Sequence, residues 1–357
     1  VAETPVRVVL EKSSHTGSNV AVESLRAKVL LVQTSFLGDT VLSTPLIAAL
    51  HQIHPGSELW MMATPESCEL VSNDPFLTGT ISFDKRRAER GFFGLLRKAK
   101  ELRSHKFSRA YVLHRSLRTT LVVKLAKIPW SRAFTSARCS FLYTETVTRP
   151  PGGHEVERNM ALLAPEEKHT PLDPELRLSP KSSLPEGLNQ CCVVAPGSVW
   201  RTKRWAPENY AALVNGLLQD GNTVAVIGGP GDAEVVDSVC AKSDAPGLHN
   251  LCGRLTLDQT ASLVRDAALV ICNDSMVLHL ASTFKVATVA VFCSTVPEFG
   301  FGPWRNPNAC VVQREDLACK PCGRHGHHRC PIATEECMRG LAVVPVLKMA
   351  RERLQRS

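Results

Sequence analysis

From Val29 to Val32 the chain carries an apolar run with no polar alternation, followed by Gln33 Thr34 Ser35 Phe36 Leu37 Gly38 Asp39 Thr40. A strand without alternation is covered on both faces, which a parallel sheet flanked by helices provides. Parallel strands in turn need long crossover connections, usually helical, so this one segment commits the chain to an α/β fold. Gly38 is expected to permit the bend out of the strand, and Asp39 to fall in the first turn of the next helix, where the dipole favours a carboxylate. Two uses of Asp39 are open at this point. It caps that helix, or it does chemistry at the carboxyl end of a parallel strand, where α/β ligands bind.

The same rhythm recurs along the chain. A helix is predicted over Asp39 to His51, a strand over Glu58 to Ala63, a helix entered through Pro65 and a strand over Thr80 to Phe83. A basic helix from Phe92 to Arg103, a strand from Arg109 to Leu113 and a helix from Leu117 to Leu125 complete a first unit, residues 28–185. Polar, proline-bearing sequence from Ser179 to Asn189 reads as the linker. A second unit, residues 186–342, starts with a strand at Cys191 to Val194. It continues with helix Pro207 to Gln219, strand Thr223 to Ile227, helix Glu234 to Cys240, helix Leu257 to Val264, strand Leu269 to Ile271, helix Val277 to Ser282 and strand Ala287 to Phe292. A last helix, Val343 to Arg353, occupies the C-terminal segment 343–357. Residues 1–27 hold a β-like run, Val6 to Leu10, without an evident partner and stay an unassigned extension. Two Rossmann-like domains facing across a cleft are therefore expected.

Composition limits the partners. With 357 residues and 44% apolar content the chain buries a large core, yet the net charge is +8. That balance suits nucleic acid, anionic lipid headgroups or a phosphorylated small molecule. The basic segments lack interleaved aromatics, which argues against a nucleic-acid platform. No apolar stretch reaches the roughly eighteen residues of a membrane span, and the polar opening lacks the apolar core of an export signal, so a cytosolic protein is expected.

Four constellations carry chemistry. Asp39 is the first. The second is Val194 Ala195 Pro196 Gly197 Ser198 through Thr202 Lys203 Arg204 Trp205, where small residues let backbone amides approach an anion and Lys203 supplies a mobile charge. The third is Gly228 Gly229 Pro230 Gly231 Asp232 Ala233 Glu234; it matches neither GxGxxG nor a P-loop, but its carboxylates are placed to accept ribose hydroxyls or to cap the helix. The fourth is Asn273 Asp274 Ser275 Met276 Val277 Leu278 His279, a helix start whose exposed amides suit a diphosphate. Lys85, Arg86, Arg87 and Arg90 follow one strand of the first unit and Arg115 and Arg118 another, so both groups are candidates for the far side of the cleft. Cys319, Cys322, Cys330 and Cys337, with His325, His327 and His328 enclosed, form a candidate structural zinc site, with free thiols or disulfides as the alternatives. Cys272 and Cys293, in apolar contexts, read as reduced core thiols.

These motifs, in this order, resemble the ADP-heptose:lipopolysaccharide heptosyltransferases of glycosyltransferase family 9, with heptosyltransferase II as the nearest branch. The resemblance covers about residues 28–355. It implies a GT-B fold with acceptor on the N-terminal domain and nucleotide-sugar on the C-terminal one, and inverting transfer of heptose from ADP-heptose to lipid-linked inner core without a catalytic metal. In those terms Asp39 is the base, Ser198 and Lys203 contact the donor and Glu234 the adenosine ribose. Asp274 and Ser275 hold the diphosphate with His279 beneath, and Arg118, Arg115, Lys85 and Arg86 meet an anionic acceptor at the inner membrane surface. Other nucleotide-sugars, and a sugar-nucleotide epimerase, are the alternative readings. The family commonly has Gly where this chain has Met276, which is expected to narrow the diphosphate path or to change donor preference.

Overall fold

The computed structural model describes residues 27–163, 172–243 and 245–356. The β-like run Val6 to Leu10 lies outside them. The first unit runs β1 (Lys28–Gln33), α1 (Leu37–Val41), α2 (Thr44–Ile53), β2 (Glu58–Ala63), α3 (Pro65–Val71), β3 (Gly79–Ser82), α4 (Gly91–Ser104), β4 (Arg109–Val112), α5 (Leu117–Leu125), β5 (Trp130–Phe134), β6 (Glu145–Val147) and α6 (Glu155–Met160). The second runs β7 (Cys192–Ala195), α7 (Pro207–Gln219), β8 (Val224–Val226), α8 (Ala233–Cys240), β9 (Leu248–Asn250), α9 (Leu257–Arg265), β10 (Leu269–Asn273), α10 (Met276–Thr283), β11 (Thr288–Phe292), β12 (Ala309–Gln313), α11 (Glu336–Arg339) and α12 (Val343–Leu354).

Each unit holds a 6-stranded sheet, ordered β3-β2-β1-β4-β5-β6 and β12-β11-β10-β7-β8-β9. Every pairing in the register is parallel. Numbered within its own unit, the second order is the first repeated, so each sheet reverses direction beside its own first strand. That reversal opens a crevice at the carboxyl ends of β1 and β4 in one sheet and of β7 and β10 in the other. The double burial expected of β1 is met: Val29 and Leu31 enter one apolar cluster, Leu30 and Val32 another.

The helix predicted over Asp39 to His51 is two helices. Pro45 has no N–H to donate and its ring clashes with the carbonyl one turn back, so the chain stops after Val41 and restarts at Thr44. Ser43 Oγ donates to Thr40 O and Thr44 Oγ1 to Val41 O, each at 2.8 Å, which satisfies two of the freed carbonyls. Four strands escaped the sequence reading: β5, β6, β9 and β12.

A continuous apolar cluster joins the units. Val41, Leu42, Leu70 and Val156 of the first pack with Leu263, Val277, Leu278 and Leu280 of the second, each buried side chain of this size contributing about 1.5–3 kcal/mol. Hydrogen bonds cross the same seam: Asn73 Nδ2 to Asp258 Oδ1 at 3.1 Å, Leu257 N to Glu69 Oε1 at 2.9 Å and Glu155 N to Gly300 O at 2.8 Å. Helix α12 lies on the second sheet, burying Val346 and Ala350 in that unit's core.

Candidate active site

Asp39 stands at the third position of α1, and Phe36, not Asp39, occupies the N-cap. Its Oδ2 reaches back to accept the Phe36 N–H at 3.2 Å. Burial, reinforced by the nearby Glu155 carboxylate, pushes its pKa up to about 6 against the pull of the Phe36 amide, Ser35 and Arg149. The residue still keeps a solvent-accessible face, so it is a half-buried carboxylate poised near neutrality, the condition for a general base. Gly38 is a helical residue and not the bend expected of it. A Cβ there would stand 3.0 Å from His279 Cδ2, so its lack of a side chain lets α1 lie directly against α10.

The opposite wall is built on β7 and β10. The loop after β7 makes a single 3-10 turn, Arg201–Lys203, before α7. Its shape is set by Asn273, fully buried at the end of β10. Asn273 Oδ1 accepts from Trp205 N and Tyr210 Oη, both at 3.0 Å, and Nδ2 donates to Pro196 O at 2.8 Å. So held, Lys203 Nζ meets Asp274 Oδ2 at 2.6 Å, and Thr295 Oγ1 donates to the same oxygen at 2.7 Å. Asp274 is thus the counter-ion of Lys203 in the free protein. Ser275 is the N-cap residue of α10 but its side chain caps nothing, and its buried Oγ has no partner among the described residues. The orphan amides of the first turn and an unpaired hydroxyl beside a lysine make a ready anion site. His279 lies one turn on, buried, its Nδ1 also unpartnered; desolvation, with lesser pressure from His154 and Lys203, drops its pKa to about 3, so it is neutral at physiological pH.

Ser198 sits on the same loop, where its carbonyl accepts Arg204 Nε at 2.8 Å. Arg204 also pairs with Asp232 at 3.4 Å, and Asp232 accepts Gly229 N at 3.1 Å, which ties the two glycine-bearing loops together. Glu234 stands exposed in the first turn of α8, at the carboxyl edge of β8, the strand beside β7.

Between the units opens a cleft of about 550 Å³, walled by Arg115, Arg149 and Arg158 from one side and by Glu298 and Arg324 from the other. Arg149 and Arg158 both bind Glu155, the latter at 3.3 Å. Burial and then the facing Arg149 and Arg324 lower the pKa of Arg115, the mark of cations gathered with too little counter-charge. Of the basic residues named from sequence, Arg115 enters this cleft. Arg118 does not line it: its guanidinium donates to the carbonyls of Glu89 and Gly91 and lies over Phe83. Lys85 is pinned to Thr34, Nζ to O at 2.6 Å, and desolvation lowers its pKa to about 8; Arg86 is exposed beside it. Sequence reasoning missed Arg149, Arg158 and Arg324; the first precedes Pro150 Pro151 Gly152 Gly153, a breaker run just before a helix, which was the available signal.

Cys319, Cys322, Cys330 and Cys337 line one small cavity of about 30 Å³ beside Thr202 and Ser294. All thirteen cysteines of the chain are free, and among the described residues no group of three or more Cys, His, Asp or Glu has metal-holding geometry. Backbone amides from Glu335 and the preceding residues surround the Cys330 thiol and lower its pKa, which favours a thiolate. The loop is clamped onto the wall built on β7 and β10, with His327 N donating to Thr202 Oγ1 at 2.7 Å and Thr202 N to His327 O at 3.0 Å.

Residues 95–330 match the model of glycosyltransferase family 9 (heptosyltransferase). The chain is 31% identical over 166 residues to lipooligosaccharide heptosyltransferase 2 of Campylobacter jejuni, an alignment spanning 45% of this chain and 50% of that protein. It is 25% identical over 293 residues to lipopolysaccharide heptosyltransferase 2 of Escherichia coli K12, spanning 76% of this chain and 84% of that one. The solved structure of E. coli ADP-heptose lps heptosyltransferase II superimposes with a TM-score of 0.75 at 23% identity, over 92% of this chain and 99% of that one, which establishes the GT-B arrangement of the two sheets. The chain belongs to glycosyltransferase family 9. It is therefore a transferase that works on a nucleotide-sugar.

Proposed function

We propose that this transferase moves heptose from ADP-heptose to the lipid-linked inner core of lipopolysaccharide, with inversion and release of ADP. The observation that carries the reading is the meeting of α1 and α10, which sets a near-neutral carboxylate, Asp39, against a helix start with an unpaired Ser275 and the adjacent Lys203. Asp39 takes the proton from the acceptor hydroxyl as that oxygen attacks the anomeric carbon from the face opposite the diphosphate. Lys203, the α10 amides and Ser275 receive the charge that gathers on the leaving diphosphate, with Asp274 orienting the lysine. Glu234 takes the ribose hydroxyls. The arginine-rich cleft holds the anionic acceptor, with Arg115 as its N-terminal-domain contact. The names of the relatives support this donor and acceptor class.

The test is incubation with a panel of nucleotide-sugars, with and without a truncated inner-core acceptor, read by mass spectrometry. ADP-heptose is expected to be consumed only with acceptor, adding one heptose and releasing ADP. Turnover without acceptor would favour an epimerase, and efficient transfer solely from another nucleotide-sugar would move the assignment within the family.

The cysteine loop has a separate proposed role: Cys319, Cys322, Cys330 and Cys337 hold a structural zinc ion outside the reaction. Their shared cavity and the amide-stabilised Cys330 thiol support it, while burial, which raises the Cys322 and Cys337 thiols, and the lack of a metal-holding group among the described residues keep reduced free thiols as the second reading. Elemental analysis of protein purified without added zinc should find about one zinc per chain. Fully active, metal-free protein with all these thiols titratable would refute it.

A further inference from the structure

Two adjacent aromatic side chains at the start of α4, Phe92 and Phe93, are exposed at 66% and 84%. Their rings contact each other at 6.1 Å between centroids and both stand largely open among the described residues. The rest of the outward stripe of α4 is Leu96, Arg97, Lys100 and Arg103, all exposed, while Leu95, Lys98, Ala99 and Leu102 face the core. Arg86, Arg87 and Arg90 are exposed on the loop leading in. Glu101, the acid on this helix, turns to Lys98 at 2.6 Å. A soluble helix ordinarily shows polar residues on its outer face, so two adjacent phenylalanines ringed by arginine and lysine have a different use.

We infer that the N-terminal end of α4 docks the enzyme on an anionic lipid bilayer, with Phe92 and Phe93 entering the headgroup–acyl boundary and Arg97, Lys100 and Arg103 meeting lipid phosphates. Charge complementarity selects this occupant: Arg86, Arg87, Arg90, Arg97, Lys100 and Arg103 are exposed around the aromatic pair, and the one acid of α4, the partly exposed Glu101, is neutralised by Lys98, the pattern of interfacial helices. Position supports it. In a parallel sheet every helix starts at the carboxyl edge, so the start of α4 shares an edge with Asp39 and Arg115. The segment is also fixed there: Lys85 bonds Thr34 at the exit of β1, Arg118 bonds the Glu89 and Gly91 carbonyls, and Asp84 N donates to Glu89 Oε2 at 2.8 Å. A lipid-anchored sugar chain rising from the bilayer at that rim enters the cleft directly. This last step rests on the acceptor proposed above; the docking itself does not.

The test is flotation of the full chain with vesicles of phosphatidylethanolamine containing roughly one quarter phosphatidylglycerol, against vesicles of phosphatidylcholine alone. Wild type should bind the anionic vesicles and lose binding in high salt. The Phe92→Ser/Phe93→Ser variant should bind at least about tenfold more weakly, and Lys100→Glu/Arg103→Glu should not bind. Because these side chains are exposed, both variants should keep the wild-type melting temperature. Both should also keep wild-type transfer to a delipidated, water-soluble acceptor, and lose it to the vesicle-embedded one. Wild type that ignores both vesicle types, or a Phe variant that binds like wild type, overturns the docking surface. So does a wild-type dimer that becomes monomeric in the Phe variant, which would assign the patch to a second copy. Failure of the heptose reading would appear instead as no transfer to the soluble acceptor by any form, with vesicle binding intact.

Discussion

Gly38 and His279 touch across the seam: one lends the other the space of a missing side chain, so that α1 and α10 share a surface on which Asp39 and Ser275 both sit. Gly38→Ala would place a methyl 3.0 Å from the buried His279 ring. It should cost about 1–3 kcal/mol of stability by overpacking, and shift Asp39 enough to lower kcat on the order of tenfold to a hundredfold. Combining it with His279→Ala should be less destabilising than the sum of the two. Chemical denaturation and steady-state kinetics decide; an unchanged single variant would show the contact to be slack.

The raised pKa of Asp39 makes activity and stability pull apart. As the proposed base it must be ionised, so kcat/KM should rise with pH through about 6 and then level. The folded protein holds this proton more tightly than the unfolded chain. The stability it contributes is therefore full below the ordinary 3.8 and lost as pH rises through about 6. Asp39→Asn should then abolish the acid limb and lower kcat by about 10²–10⁴-fold, yet at pH above 6 raise stability by roughly 1–3 kcal/mol. An Asn variant that is both active and less stable would remove Asp39 from the mechanism.

Lys203 and Asp274 should respond oppositely to ligand. Lys203→Ala should lower kcat by about 10²–10³-fold and weaken the thermal shift produced by ADP. Asp274→Asn leaves the lysine without its carboxylate, so the ligand-free protein should melt lower while ADP stabilises it by more than it does wild type. Equal ADP shifts in all three proteins would disconnect this pair from the diphosphate.

Arginines that looked alike in the sequence should separate by phenotype. Arg115→Ala and Arg324→Ala should raise the acceptor KM with little effect on donor KM or melting temperature. Arg118→Ala should lower the melting temperature, because it strips the carbonyls of Glu89 and Gly91 of their donor. Kinetics with both substrates varied, alongside thermal melts, tests the division; an Arg118 variant that is stable but blind to acceptor would reverse it.

What could be read beforehand follows burial. β1, α5, α7 and β10 stood out because continuous apolar runs or helical spacing end at Gly, Pro or a capping residue. β6 and β9 are short and only partly covered, and β5 carries Arg132 in its middle, so none shows the pattern of a covered strand. At the site, Asp39, Lys203, Asp274 and Ser275 were visible as polar residues just after apolar strands. Asn273 was visible as a letter and not as the clamp of the 196–205 loop, since its partners lie 63–77 residues away in sequence. The arginine cleft was hidden for the same reason: Arg115, Arg149 and Arg324 meet only once the two units close on each other.

The apolar cluster that runs from Val41, Leu42, Leu70 and Val156 into Val277, Leu278 and Leu280 disregards the boundary between the sheets. Two domains by topology are thereby one body by cooperativity. Calorimetry should register a single endotherm, and a half cut free within residues 179–189 would expose the oily floor on which its active-site helix rests. The carboxylate and the anion site are accordingly held at a fixed spacing by the same contacts that keep the chain folded. Loosening that floor would spend catalytic alignment and lifetime together.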